Sequence, residues 1–315
     1  MRARELNRML TQVSALTTRQ REVLLQVLQG QTEEDAALAV VQSCQGGHPH
    51  CPHCQGVRLV RNGQASGLQR YKCADCSKTF NALTGTPLAR LRHKAKWLAQ
   101  ADVLNQGLSV HQAAQSMDVA PSTAFRWRHR FLQIPKSHKT GYLQGVVEAD
   151  ETYFLRSYKG QKVHGRVRRR RGGRAAKRGT SAEYVPVLVA RDRSGATTDF
   201  ILAAPDKVNI LAALAPVLPP DAILCSDGGG ALAKTAEHLG IEHHGLNLSK
   251  GVRVQGPWHI QNVNAYHSRL KHWIHRFKGV ATSYLNSYLG WFRALDRSAQ
   301  NHGQPAPMLK LALGL

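Results

Sequence analysis

A chain of 315 residues is too long for one small core and suits two or three modules, and with 42% hydrophobic residues it can bury at least one sizeable core. Its 43 Lys plus Arg stand against 20 Asp plus Glu, a formal net charge of +23 that folding does not require; it implies a polyanionic partner, nucleic acid ahead of an anionic membrane. No apolar run reaches the roughly 18 residues of a membrane span, and the basic opening segment lacks the apolar stretch of a secretory signal, so the chain reads as cytoplasmic and nucleoid-associated, with no membrane partner.

Taken in order, residues 1–43 read as a helical region. Leu16, Val23, Leu24, Val27 and Leu28 recur at helical spacing, and Thr32-Glu-Glu-Asp35 has the form of a helix start. Residues 44–90 contain Cys51-Pro-His-Cys54 and Cys73-Ala-Asp-Cys76, two CxxC knuckles with 18 residues between them. Clustered cysteines in a reducing compartment bind metal more often than they pair as disulfides, and two knuckles supply four thiolates to one tetrahedral Zn²⁺ at about 2.3 Å. The stretches Val57–Gly63 and Gln69–Cys73 read as hairpin strands, which makes a zinc ribbon. Four sulfurs leave no open coordination position, so the role is structural. Cys44 and Cys225 stand apart and read as plain thiols, and His50 and His53 as solvated neighbours.

Residues 91–136 read as a helix-turn-helix. Ser109 can cap a helix whose apolar face includes Val110, Ala113 and Ala114; Met117-Asp-Val119 fits the turn; Pro121 suits the first position of the next helix. That second helix carries Arg126, Arg128 and Arg130, candidates for contact with guanine edges or phosphates in a major groove. Trp127 reads as core. A polar, breaker-containing linker follows at Pro135–Gly141.

Between residues 142 and 300, strand-like and helix-like runs alternate. Strands are expected at Val146–Asp150, Tyr184–Ala190, Thr197–Ala203, Ala222–Asp227 and Ile241–Leu246, and helices at Val208–Ala215, at 231–239 and from His259 past Lys271. That order implies an α/β mixed sheet flanked by helices. Lys159–Arg178, with Arg168, Arg169, Arg170 and Arg171 in a row, reads as a basic loop able to clamp a DNA backbone without sequence preference. Residues 301–315 read as a tail.

In so basic a chain, clustered acids need a reason. Alternation along a strand puts Glu148 and Asp150 on one face and Glu151 on the other. Asp227 ends another apolar strand, just before Gly228, Gly229 and Gly230, which give a ligand room to approach. Two facing carboxylates repel, and Mg²⁺, with Mn²⁺ as a substitute, takes such oxygen ligands; two ions about 3.5–4 Å apart suit in-line displacement at phosphorus.

Gly145-Val-Val-Glu-Ala-Asp-Glu-Thr-Tyr153, Cys225-Ser-Asp-Gly228, His259–Lys271, Phe277–Phe292 and the ribbon tail Thr79–Leu88 together resemble bacterial insertion-sequence transposases with an N-terminal zinc ribbon, the ISXO2-like family. The resemblance spans about residues 48–295. It implies a ribonuclease-H-like core with an Asp, Asp, Glu or Asn triad and a basic residue. On this chain these fall on Asp150, Asp227, Asn264 and Lys271, with Lys271 expected to hold a DNA-end phosphate and the first three expected to hold Mg²⁺. Asn264 departs from the Glu of many relatives, although one subgroup carries Asn. Its amide oxygen can ligate Mg²⁺ but brings no charge. His259 and Asn262 are candidate supporting groups, and His267 a further residue able to face the site. The function implied is a DNA transposase that cuts element ends and joins them to target DNA, working as a dimer or larger assembly. The alternative is a non-catalytic, transposase-derived DNA-binding regulator.

Overall fold

A computed structural model describes residues 10–13, 15–28, 32–44, 50–163, 173, 175–176, 181–246, 251–297 and 304–314. Arg168, Arg169, Arg170 and Arg171 lie outside them. The chain divides into two compact units, one of residues up to Phe131 together with those from Gln304, the other of Leu132–Gly303. Among the described residues no helix is long and apolar enough to cross a membrane.

The first unit begins with α1 (Thr18–Leu28) and α2 (Glu33–Ser43). Thr32 caps α2 reciprocally: its hydroxyl accepts from the Asp35 amide at 3.1 Å, while the Asp35 carboxylate accepts from the Thr32 amide at 3.0 Å. Ala37, Leu38 and Val41 are buried along one side. The antiparallel strands β1 (Leu59–Ala65), β2 (Leu68–Cys73) and β3 (Thr79–Phe80) form the ribbon. Helix α2 lies on its first turn, where Gln42 donates to the Gly67 carbonyl at 3.3 Å. This helix therefore belongs with the ribbon, although the sequence divides them at residue 44.

Helices α3 (Trp97–Gln106), α4 (Val110–Met117) and α5 (Pro121–Phe131) make the helix-turn-helix. Ser109 caps α4 as its position predicts, exchanging bonds with Gln112. Asp118 takes the left-handed conformation that ends α4. The Lys96 ammonium donates to the freed carbonyls of Met117 and Asp118, at 2.6 and 2.9 Å. Val103, Ala113, Ala114, Met117, Ala124 and Trp127 form the core. The C-terminal residues are not a tail. Pro305–Leu313 form a helix with Met308, Leu309, Ala312 and Leu313 buried, packed on α2 and α3 of this unit. Asn105 donates to the Gln304 carbonyl just before it, at 2.8 Å.

The second unit opens with a short helix, α6 (Gln133–Ser137), and is built on β4 (Val146–Leu155), β5 (Tyr184–Asp192), β6 (Thr197–Ile201), β7 (Ile223–Ser226) and β8 (Glu242–Gly245). Their order is β6-β5-β4-β7-β8. The β6–β5 and β5–β4 pairs are antiparallel; β4–β7 and β7–β8 are parallel. This is the ribonuclease-H-like mixed sheet. The two parallel pairs need crossovers, supplied by α7 (Lys207–Leu214) and α8 (Gly230–Leu239). Val147, Ala149, Leu188 and Ala190 pack with Ile210, Leu214, Leu232 and Ala236 from those helices. A small hairpin, β9 (Val254–Gln255) with β10 (Trp258–His259), leads into α9 (Gln261–His275), followed by α10 (Leu285–Arg297). Trp273 and Phe277 meet Tyr288, Trp291 and Phe292 in edge-to-face and tilted contacts, which hold α9 to α10.

Candidate active site

The strand period decides which β4 side chains are available. Val147 and Ala149 turn into the core under α7 and α8, so Glu148 and Asp150 emerge on the opposite face, toward α9. The parallel pairing of β4 with β7 aligns Val146 with Ile223, Val147 with Leu224 and Glu148 with Cys225. Continued by two residues, that register brings Asp150 level with Asp227. Beyond β7 the chain turns sharply. Gly228 has φ +83, a conformation that favours glycine, and Gly245 of β8 crosses so close that a Cβ on it would lie 3.1 Å from the Gly228 Cα. The buried Ser226 hydroxyl accepts from the Gly228 amide at 3.1 Å and bonds the His243 ring at 2.9 Å. The Gly229 amide donates to Asp227 at 2.9 Å and so orients that carboxylate.

The Glu151 carboxyl is pushed up to about 7, first by burial and then by the negative charges of Asp150 and Asp227. Asp150 is partly buried and Asp227 exposed, so the pair is open to a ligand. Two carboxylates that raise the pKa of a third form a donor set that suits a hard divalent cation.

Asn264 lies in the first turn of α9 and is exposed, as is Lys271 two turns on along the same stripe. Between them sits His267, buried, with Nδ1 3.5 Å from the Asp150 carboxylate and Nε2 unbonded. In the sequence His267 is a further residue able to face the site; the structure puts it beside Asp150. It also gives Glu148 partners that strand alternation could not reveal. The fully buried Glu148 carboxylate accepts from the Val263 amide at 3.0 Å and the Asn262 side chain at 2.8 Å, and pairs with Arg193 at 3.0 Å. His259 Nδ1 lies 3.3 Å from it.

In the first unit the four sulfurs of Cys51, Cys54, Cys73 and Cys76 all lie within 4.8 Å of one another, with Cys51–Cys76 and Cys54–Cys73 at 3.6 Å. A tetrahedron with bonds of about 2.3 Å has edges of about 3.8 Å, so the cluster fits one zinc ion. Among the described residues it is the group of three or more His, Cys, Asp or Glu able to hold a metal.

The three helix-turn-helix arginines divide. Arg126 and Arg130 are exposed, Arg130 with its guanidinium on the Ala89 carbonyl at 2.9 Å. Arg128 is 1% exposed and donates to the Leu108 carbonyl at 2.7 Å. Arg128 thus faces the junction of α3 and α4, whereas Arg126 and Arg130 do not. The sequence marked the helix as basic but could not give its rotation.

Three family models match this chain: a transposase zinc-ribbon domain over residues 31–79, a homeodomain-like domain over 88–134 and an ISXO2-like transposase domain over 142–293. The first of these takes in the whole of α2, in keeping with its packing on the ribbon. An uncharacterized protein in transposable element ISH50 of Halobacterium salinarum is 30% identical over 267 residues, 82% of this chain and 88% of that protein. Among solved structures, a pre-cleavage Mos1 transpososome covers 89% of this chain and 94% of its own at 12% identity and TM-score 0.23. A Mos1 strand transfer complex covers 64% and 76% at 14% identity and TM-score 0.22. Those two superpositions are too loose to bear on any residue. Sequence kinship over most of the chain, with all three modules in order, makes it a member of the ISXO2-like transposase family.

Proposed function

We propose that this protein is a metal-dependent DNA transposase that cuts the ends of its insertion sequence and joins them to target DNA. One observation carries the reading: β4 and β7 pair in parallel with Glu148 opposite Cys225, a register that, continued past the end of β7, sets Asp150 against Asp227, and α9, which bears Asn264 and Lys271, packs on β4. Asp150, Asp227 and the Asn264 amide oxygen would hold Mg²⁺, with Mn²⁺ as a substitute. The metal would lower the pKa of the attacking water and offset charge on the leaving oxygen. Lys271, exposed on the same stripe of α9, would hold a DNA-end phosphate. Water adds to phosphorus and frees a 3′-hydroxyl; that hydroxyl then attacks a target phosphodiester, forms the new bond and releases a target 3′-hydroxyl.

Exposed Arg126 and Arg130 on α5, with Arg168, Arg169, Arg170 and Arg171 after β4, would supply contacts to DNA. The ribbon, with zinc as a structural ion, and the helix-turn-helix would select the terminal inverted repeats. Joining two ends calls for a dimer or larger assembly, acting in the nucleoid.

A neutral residue at the third position favours one second reading, a transposase-derived DNA-binding regulator without catalysis. Strand-transfer assays in Mg²⁺ or Mn²⁺ on wild type and Asp150→Ala decide between them. Joined product from the wild type alone supports the enzyme; equal activity, or none from either at full DNA binding, removes it.

A further inference from the structure

Helix α9 starts just after His259, whose ring accepts from the Gln261 amide at 3.3 Å. Its N-cap residue is Ile260, which has no side-chain acceptor. The amide of Val263, the third helical residue, instead donates to Glu148 on β4, 3.0 Å away and 115 positions earlier in the chain. The same carboxylate takes the Asn262 side chain at 2.8 Å. Arg193 completes the arrangement: it pairs with Glu148 at 3.0 Å and donates to the Pro257 carbonyl at 3.1 Å. Its own position is braced, because Asp192 beside it is buried and accepts from the amides of Gln144, Ser194 and Ala196. The clamp thus joins β4 two residues before Asp150 to α9 one residue before Asn264.

We infer that Glu148 is a positioning residue, whose buried carboxylate sets the Asn264 amide oxygen against Asp150 and thereby makes a neutral third ligand serviceable. The inference rests on the metal site proposed above. A third carboxylate would be drawn to a divalent cation by its charge over several ångströms. An amide oxygen is attracted far less, so its place has to be fixed by the fold in advance. Groups that orient ligands in this way commonly change metal affinity by 10–100-fold.

The test is Mn²⁺ binding by isothermal titration calorimetry on the zinc-loaded full chain, beside the Mg²⁺ dependence of end cleavage. Asp150→Ala should abolish Mn²⁺ binding at this site. Glu148→Gln should weaken it about tenfold and move cleavage to correspondingly higher Mg²⁺. In an Asn264→Glu background the loss caused by Glu148→Gln should shrink to about threefold or less, because a charged ligand needs the clamp less. A merely structural Glu148 would give the same loss in both backgrounds, and that result overturns the inference. So does wild-type Mn²⁺ affinity in Glu148→Gln when Asp150→Ala has lost it. Wild-type affinity in Asp150→Ala would instead remove the metal-site reading, and the clamp with it. Should Glu148→Gln fail to fold, Asn262→Ala removes one arm from an exposed position. It should cost about fivefold in Mn²⁺ affinity, the size of one ordinary hydrogen bond, and unchanged affinity overturns the proposal.

Discussion

Helix α4 in the N-terminal unit and helix α9 over the sheet begin in opposite ways. Ser109 and Gln112, three residues apart, close the start of α4 between themselves. Helix α9 borrows its cap from Glu148, more than a hundred residues away. The contrast extends to the units around them. The ribbon is organised by four cysteines within 26 residues of chain, and α2 and α4 by boxes three residues wide. The sheet unit is tied across long separations by buried charge: Arg293 on α10 pairs with buried Asp199 of β6 and donates to the Pro135 carbonyl at 3.0 Å. Each unit is therefore expected to fail in its own way.

The sharpest way to break this comparison is to remove the zinc. Chelation, or Cys73→Ser, should unfold the ribbon, since a structural zinc supplies about 10 kcal/mol of folding free energy. Calorimetry should then show the N-terminal transition lost and the sheet transition kept; a single merged transition would mean that the units do not melt separately. Next in size, Asp150→Asn or Asp227→Asn should lower end cleavage by about 10⁴-fold, the scale on which a member of a catalytic constellation acts. The melting profile should change little, because Asp227 is exposed and Asp150 only partly buried.

Arg128→Met should destabilise the N-terminal unit by about 2 kcal/mol, through loss of a buried charged hydrogen bond. Its effect on DNA affinity at a temperature where the unit stays folded should be small. Arg126→Ala should do the reverse: the melting temperature holds, while the slope of log affinity against log salt falls by about one if the residue meets a phosphate. A result in which Arg126 governs stability and Arg128 governs DNA binding would invert the burial reading of α5.

The strands β4, β5, β6, β7 and β8 and the helices α7, α8 and α9 fall within a few residues of where apolar runs and glycine breaks put them. The four-cysteine cluster and the cap of α4 were legible for the same reason, since both are contacts between residues close in the chain. Other features were not. Arg126, Arg128 and Arg130 are identical letters on one short helix, and only packing against α3 and α4 separates the buried one from the exposed two. The last residues carry an apolar spacing, Met308, Leu309, Ala312 and Leu313, that says a helix can form but not what it covers. Glu148 reads as one more acid beside Asp150, with no local sign that it holds α9.

Sequence alone determined the modules and their order, because short-range spacing and hydrophobic period write these directly into the chain; it ended the first strand at Asp150, whereas β4 runs on to Leu155. Tertiary structure alone decided the parallel register of β4 on β7, the burial of Arg128 and the partnership of Glu148 with Val263, Asn262 and Arg193. Those depend on strand register and helix rotation, which are fixed when distant segments pack and have no local signature to read beforehand.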